Sequence, residues 1–141
     1  MRYVLAVVVI LGGCTMVQEP SPVSAPAPLP APASENAAIA SLMDGARADV
    51  AAGRLANAAA SLERALRIEP RNPRLWQELA RVRLQQGEYA QAESVAARSN
   101  SWAGGDNRLR AENWRLIAQA REARGDAAGA RAALDAAERQ R

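Results

Sequence analysis

Apolar and polar residues are arranged in three different ways along the chain. Residues 3–11 form an unbroken apolar run behind a single basic residue, Arg2, and Gly12 and Gly13 follow it. Between residues 15 and 35 the sequence is punctuated by Pro20, Pro22, Pro26, Pro28, Pro30 and Pro32, with small residues between them. From Asn36 onward the apolar positions recur at helical spacing, and alanine is the commonest of them. Each pattern predicts a different element. Nine apolar residues reach only about 14 Å as a helix, far short of the ~30 Å hydrocarbon core, so the first run does not span a membrane. It fits the hydrophobic part of an export signal with small residues at the cut. Closely spaced prolines forbid a helix and remove ladder donors, so the second stretch predicts an extended, polyproline-like spacer with a contour on the order of 65 Å.

The helical stretch repeats itself. Gly87 lies 34 residues after Gly53, and the same shift carries Leu42 to Trp76, Leu55 to Tyr89 and Ala58 to Ala92. A further shift of 38 carries Trp76 to Trp114, Leu79 to Ile117, Ala80 to Ala118, Gly87 to Gly125 and Ala92 to Ala130. The four extra residues are expected in a connection around residues 99–110, which holds Gly104, Gly105 and Asp106. The motifs Trp76-x2-Leu79-Ala80 and Gly87-x-Tyr89-x2-Ala92 resemble the tetratricopeptide repeat, an antiparallel helix pair. The third copy keeps Trp114-x2-Ile117-Ala118, Gly125, Ala130, Leu134 and Ala137; the first keeps Gly53, Ala58, Leu62, Ala65 and Pro70. Asp49, Arg83 and Arg121 stand where the family usually has a tyrosine, and the proline after the second copy is missing.

The resemblance implies an all-α fold: three helix-turn-helix repeats, at about 39–72, 73–106 and 111–141, forming a short right-handed solenoid over residues 36–141. Each repeated residue has a physical task. Glycine after the first helix can adopt the left-handed conformation that reverses the chain, and alanine early in the second helix lets the axes approach. Asn72-Pro73 is a helix-start signal. The last helix, expected over residues 127–141, must cap the array with a polar side supplied by Arg131, Asp135, Glu138 and Arg139.

Composition narrows the chemistry. The chain has 141 residues, 18 arginines and no lysine, 15 acids, no histidine and one cysteine. Histidine-based triads, Cys–His pairs, Cys/His zinc sites and an internal disulfide are therefore excluded. No nucleophile, metal site or phosphate loop is recognisable, and the acids are interleaved with arginine as helix-surface pairs usually are, so catalysis is not expected. A net charge of +3 is too small to argue for nucleic acid. No small-molecule substrate or cofactor is implied. What remains is a protein-binding module.

Where such a module would sit follows from Leu11-Gly12-Gly13-Cys14, which resembles the lipobox of bacterial lipoproteins. The resemblance implies a signal over residues 1–13, a covalent lipid on Cys14, and residues 14–35 as the lipidated cysteine with its linker. Thr15, where inner-membrane lipoproteins often carry Asp, implies the outer membrane, with the domain facing the periplasm. Several acyl chains on one residue give stable anchoring.

In tetratricopeptide arrays the concave face, lined by the first helix of each pair, holds a partner's peptide or helix. That face would carry Met43, Arg47, Val50, Gln77, Arg81, Leu84, Gln85, Arg115, Gln119 and Glu122. Arginine and glutamine around a few apolar spots suit carboxylates and peptide carbonyls. The alternative for each residue alone is a solvated helix face. Trp102, in the glycine-rich connection, is either an exposed anchor for a partner or a lid folded over the second pair. The Lys/Asn clamp of chaperone-type arrays has no match, since Glu78 and Glu112 stand near its positions. The layout of anchor, spacer and small repeat domain is similar to that of the lipoprotein activators of class A penicillin-binding proteins. A pilotin-like factor for a secretin or pilus, and a purely structural envelope scaffold, are the alternatives.

Overall fold

Three glycines set the chain reversals. Gly53, Gly87 and Gly125 have φ of 72°, 77° and 81°, and each follows the first helix of a pair. Past each one, the next amide donates back five residues: Arg54 N–H to Asp49 O at 2.8 Å, Glu88 N–H to Arg83 O and Asp126 N–H to Arg121 O at 2.9 Å each. This is the Schellman closure, and it satisfies carbonyls that the helix end would leave open.

The computed structural model describes residues 32–141, and within them the chain is all-helical: α1 Pro32–Ala51, α2 Leu55–Ile68, α3 Pro73–Gln85, α4 Tyr89–Trp102, α5 Asn107–Ala123 and α6 Ala127–Glu138. The expected signal, Cys14 and the linker up to residue 31 lie outside the described residues. Helix α1 starts at Pro32, four residues before the expected domain boundary. Proline is accepted in a first helical turn, where its missing N–H breaks no bond. Helices α1/α2, α3/α4 and α5/α6 pair, and α2 on α3 and α4 on α5 join the pairs into one array.

Asn72 caps α3 as its sequence implies, its Oδ1 accepting from the amides of Arg74 (3.0 Å) and Leu75 (3.4 Å). Pro73 follows at the first helical position. The connection before α5 differs from expectation. Only residues 103–106 separate α4 from α5, and α5 has 17 residues against 13 in α3. Asp106, accepting from Leu109 N–H at 2.9 Å, starts the helix early. The four inserted residues thus become an extra helical turn rather than a glycine-rich loop. Helix α6 ends at Glu138, and the outer-side residues Arg131, Asp135, Glu138 and Arg139 are exposed as expected.

The interior follows from alanine at the close approaches. Ala58, Ala92 and Ala130 are buried, the first two completely. One apolar cluster joins α1, α2 and α3 through Ile39, Leu62, Leu66, Leu75, Leu79 and Val82, with Trp76 packed against it. A smaller one joins α3 to α6 through Ala80, Ala96, Ile117, Ala118 and Ala133, with Trp114 against it. Full burial of a side chain the size of Leu62, Leu75 or Ile117 contributes about 1.5–3 kcal/mol. Between the clusters lies a polar seam. Asn113, fully buried on α5, donates to Ser99 Oγ (2.7 Å) and Asn100 Oδ1 (3.0 Å) and accepts from Gln77 Nε2 (3.0 Å). Ser99 in turn donates to the Pro73 carbonyl at 2.7 Å. One residue thereby locks α3, α4 and α5 together.

The positions lacking the family's tyrosine are filled by ion pairs. Arg83 reaches Glu63 on α2 (2.6 Å) and Glu88 beyond its own helix (2.8 Å). Arg121 holds Glu93 on α4 with two nitrogens, at 2.6 and 2.8 Å, and donates to the Gly129 carbonyl at 3.2 Å. Both guanidinium groups tie a first helix to the preceding pair. Asp49 pairs with Arg54 across its own turn at 2.7 Å.

Candidate partner-binding groove

Helices α1, α3 and α5 line one side of the array and leave a run of three adjoining recesses. Between α3 and α5 a recess of about 420 Å³ brings together Arg81, Leu84, Gln85, Arg115 and Gln119 with Glu112 and Leu116. Between α1 and α3 a smaller, apolar cleft of about 200 Å³ is walled by Met43, Ala46, Val50, Leu62 and Val82, with Arg47 and Glu78 among its lining residues. A polar recess of about 260 Å³ shares Glu78 with the apolar cleft and shares Arg81 and Glu112 with the first recess. The three therefore form a continuous groove, apolar at the α1 end, most polar in the middle and mixed in the recess of Arg115.

Charge in the groove is partly preset. Arg81 Nη2 lies 3.1 Å from Glu112 Oε2, bridging α3 and α5, and Arg108 Nε approaches the other oxygen at 3.3 Å. Glu112 thereby holds Arg81 across the groove floor. Arg115 is exposed beside them, with no carboxylate of the described residues within 4.0 Å, and is the groove's uncommitted cation. Arg47 is paired only with Asp44, one turn back on α1, at 3.0 Å. Such exposed pairs contribute about 0–1 kcal/mol, so a ligand carboxylate can displace them.

Of the ten expected groove residues, nine line the recesses in this way. Gln77 does so from within the wall of the polar recess. It is buried to 6% exposure, and its Nε2 is spent on Asn113 Oδ1 and, at 3.4 Å, on the Leu109 carbonyl. Its amide nitrogen thus braces the groove from inside. Glu122 is exposed further along α5 and lines none of the recesses. Trp102 is the last residue of α4, 38% exposed, with Arg71 of the α2–α3 turn over its ring at 5.2 Å. It belongs to the edge of the array rather than to the groove.

Sequence reasoning missed Leu116 and Val82 in the groove walls and Asn113 behind them. A signal for Asn113 was present: Leu109, Asn113 and Ile117 follow one another at four-residue spacing, which sets the asparagine on the buried stripe. Among the described residues no group of three or more His, Cys, Asp or Glu could hold a metal, and no helix is long and apolar enough to cross a membrane.

The comparisons with known proteins agree with this architecture. The tetratricopeptide-repeat family profile matches residues 49–112. The solved globular C-terminal domain of P. aeruginosa LpoP superimposes with a TM-score of 0.70 at 50% sequence identity, covering 71% of this chain and 94% of that one. No curated protein sequence matches significantly. With a repeat profile running from the end of α1 into α5, and half of the aligned residues identical over nearly the whole of that domain, the chain belongs to the tetratricopeptide-repeat family represented by LpoP.

Proposed function

We infer that the chain is an outer-membrane-anchored adaptor facing the periplasm, whose groove binds an extended segment of a class A penicillin-binding protein and thereby favours that enzyme's active conformation. The observation that carries this reading is the 50% identity to the LpoP domain over nearly all of its length. It joins the layout of lipobox cysteine, proline-rich spacer and repeat domain, which is that of lipoprotein activators of peptidoglycan synthases. The purely structural alternative gives no reason for a groove that keeps an unpaired arginine.

The groove's chemistry gives the reading a mechanism. The cleft of Met43, Val50 and Val82 takes one apolar side chain of the partner, and Arg115 meets a carboxylate two recesses along. Gln85 and Gln119, in the same recess as Arg115, present amides to the carbonyls of an extended strand. The adaptor performs no chemistry itself. It shifts a population, and that requires only tighter binding to the active conformer than to the resting one. The lipid on Cys14 and the linker hold the groove at a reach suited to a partner in the cell-wall layer.

A photo-crosslinking residue at position 85, used in cells and followed by mass spectrometry, tests the reading. A trapped peptidoglycan synthase is the expected product, and residues 32–141 should then raise its glycan polymerisation in vitro. Adducts with a secretin or pilus component would make the chain a pilotin. Adducts from position 102 but none from position 85 would mean that the partner uses the edge and not the groove.

A further inference from the structure

The two edges of the array differ in how their charges are settled. Consecutive helices reverse direction, so the Gly53, Gly87 and Gly125 turns fall on one edge. The α2–α3 and α4–α5 turns, the start of α1 and the end of α6 fall on the other. Contacts tie this second edge together: Arg71 over Trp102, Ser99 Oγ to the Pro73 carbonyl, and Arg74 Nη2 at 3.9 Å from Asp106.

On the glycine edge the arginines are neutralised in place. Arg54 is held by Asp49 at 2.7 Å, Arg83 by Glu63 and Glu88, and Arg121 and Arg124 by the two oxygens of Glu93. On the second edge they are not. Arg67, Arg71, Arg98, Arg110, Arg139 and Arg141 have no carboxylate of the described residues within 4.0 Å. Arg74 has only the distant Asp106, and Arg108, 91% exposed, has only Glu112 at 3.3 Å, a carboxylate it shares with Arg81. These cations come from all three repeats: Arg71 and Arg74 line a shallow recess of about 670 Å³ in the α2–α3 turn, with Ile68 and Glu69, and the others are distributed along the edge.

Two partly exposed apolar side chains stand among them. Ile68 and Trp102 are 37% and 38% exposed, at the ends of α2 and α4. Arg71 stacked on Trp102 sets a guanidinium and an indole at one level. Helix α1 also begins on this edge, so the preceding 31 residues leave the domain from the same side.

We propose that this edge is a docking surface for an anionic phospholipid bilayer. A layer of dispersed negative headgroups is matched by arginines distributed over all three repeats, most of them without a carboxylate partner among the described residues. Each arginine near such a surface adds attraction that decays within a Debye length. Tryptophan settles at the headgroup level because its ring is apolar and its N–H is polar. Arg74 and Arg108 also border the polar recess of the groove, whereas the apolar cleft and the recess of Arg115 share no residue with this edge, so a docked domain keeps those two free. The inference does not depend on the groove's partner.

Residues 32–141 suffice for the test, since the LpoP relative is solved as an isolated globular domain and no lipid on Cys14 then contributes. Co-sedimentation is measured with vesicles of equimolar phosphatidylglycerol and phosphatidylcholine, and with phosphatidylcholine alone. The domain should pellet with the anionic vesicles only and be released by high salt. The triple variant Arg71→Glu, Arg74→Glu, Arg108→Glu should lower partitioning on the order of a hundredfold with its helical signal intact. A control of equal charge change elsewhere, Arg47→Glu, Arg64→Glu, Arg131→Glu, should lower it only a few-fold. Tryptophan emission should move to shorter wavelength with anionic vesicles, and Trp102→Phe should abolish the movement. Equal binding to both vesicles, equal loss in the two triple variants, or an unmoved emission would overturn the proposal. Binding to isolated peptidoglycan without binding to vesicles would overturn it too, by assigning the edge to the cell-wall polymer.

Discussion

Replacing Asn113 by alanine should be the most damaging polar change in the domain. The side chain is fully buried and makes three hydrogen bonds, at 2.7, 3.0 and 3.0 Å, to residues on α3 and α4. The consequences for the partners are unequal. Ser99 keeps its donation to the Pro73 carbonyl at 2.7 Å, and Asn100 is half-buried and can recover a bond from water. Gln77 is left with a single 3.4 Å contact to the Leu109 carbonyl while 6% exposed. One buried amide short of a partner costs about 1–3 kcal/mol, and the vacated amide volume adds to that, so a loss of about 2–4 kcal/mol is expected. With a urea slope of about 1–3 kcal/mol/M for a domain this size, the midpoint should fall by roughly 1–2 M at unchanged slope. Gln77→Ala should cost less, and the double variant should cost clearly less than the two single losses combined, because both remove the same bond. Urea melts of the four proteins followed by circular dichroism measure this. An Asn113→Ala loss below about 0.5 kcal/mol, or strict additivity with Gln77→Ala, would refute the seam as a structural lock.

Other substitutions probe the turns, ion pairs and close approaches. Gly87→Ala forces a Cβ onto a residue at φ 77° and should cost about 1–2 kcal/mol, whereas Gly105→Ala, without a positive φ, should be near neutral. Arg121→Met removes a bidentate pair with Glu93 and a bond to Gly129, and should lower stability by about 1–2 kcal/mol in thermal melts, less so in high salt. Ala92→Leu, at a fully buried contact between helices, should cost about 1–3 kcal/mol by overpacking, while Ala90→Leu on the exposed side of the same helix should leave the melt unchanged. Arg115→Glu should leave the melt unchanged but weaken capture of an acidic partner peptide by on the order of tenfold in a binding titration.

Much of the architecture was legible because the repeat states its local physics openly. Glycine at Gly53, Gly87 and Gly125 is required by a positive φ, and that requirement needs no knowledge of the neighbours. Asn72-Pro73 starts a helix by a bond between near neighbours in sequence. Alanine at Ala58, Ala92 and Ala130 announces a close approach of two axes whose order along the chain is already known. The groove residues Arg81, Gln85, Arg115 and Gln119 follow from the same register, since a repeat that fixes one helix face fixes its opposite.

What stayed hidden involves partners far apart in sequence. Gln77 and Glu122 look alike as polar residues on first helices, but Gln77 meets Asn113, 36 residues away, and goes inside. Arg83 and Arg121 read as departures from a tyrosine pattern, and only the stacked pairs bring Glu63 and Glu93 to them. The four-residue insertion read as a loop is the exception, since Asp106 starts the helix by accepting from Leu109, only three residues ahead. The charged edge follows the rule: a diffuse excess of arginine along the chain sorts into a paired edge and an unpaired one only when alternating helices bring every second turn to the same side. Turns, caps and helix periods are set within a few residues, so composition and spacing decide them. Burial of a polar group and pairing of a charge depend on which surfaces meet, and that is decided by the packing of the array.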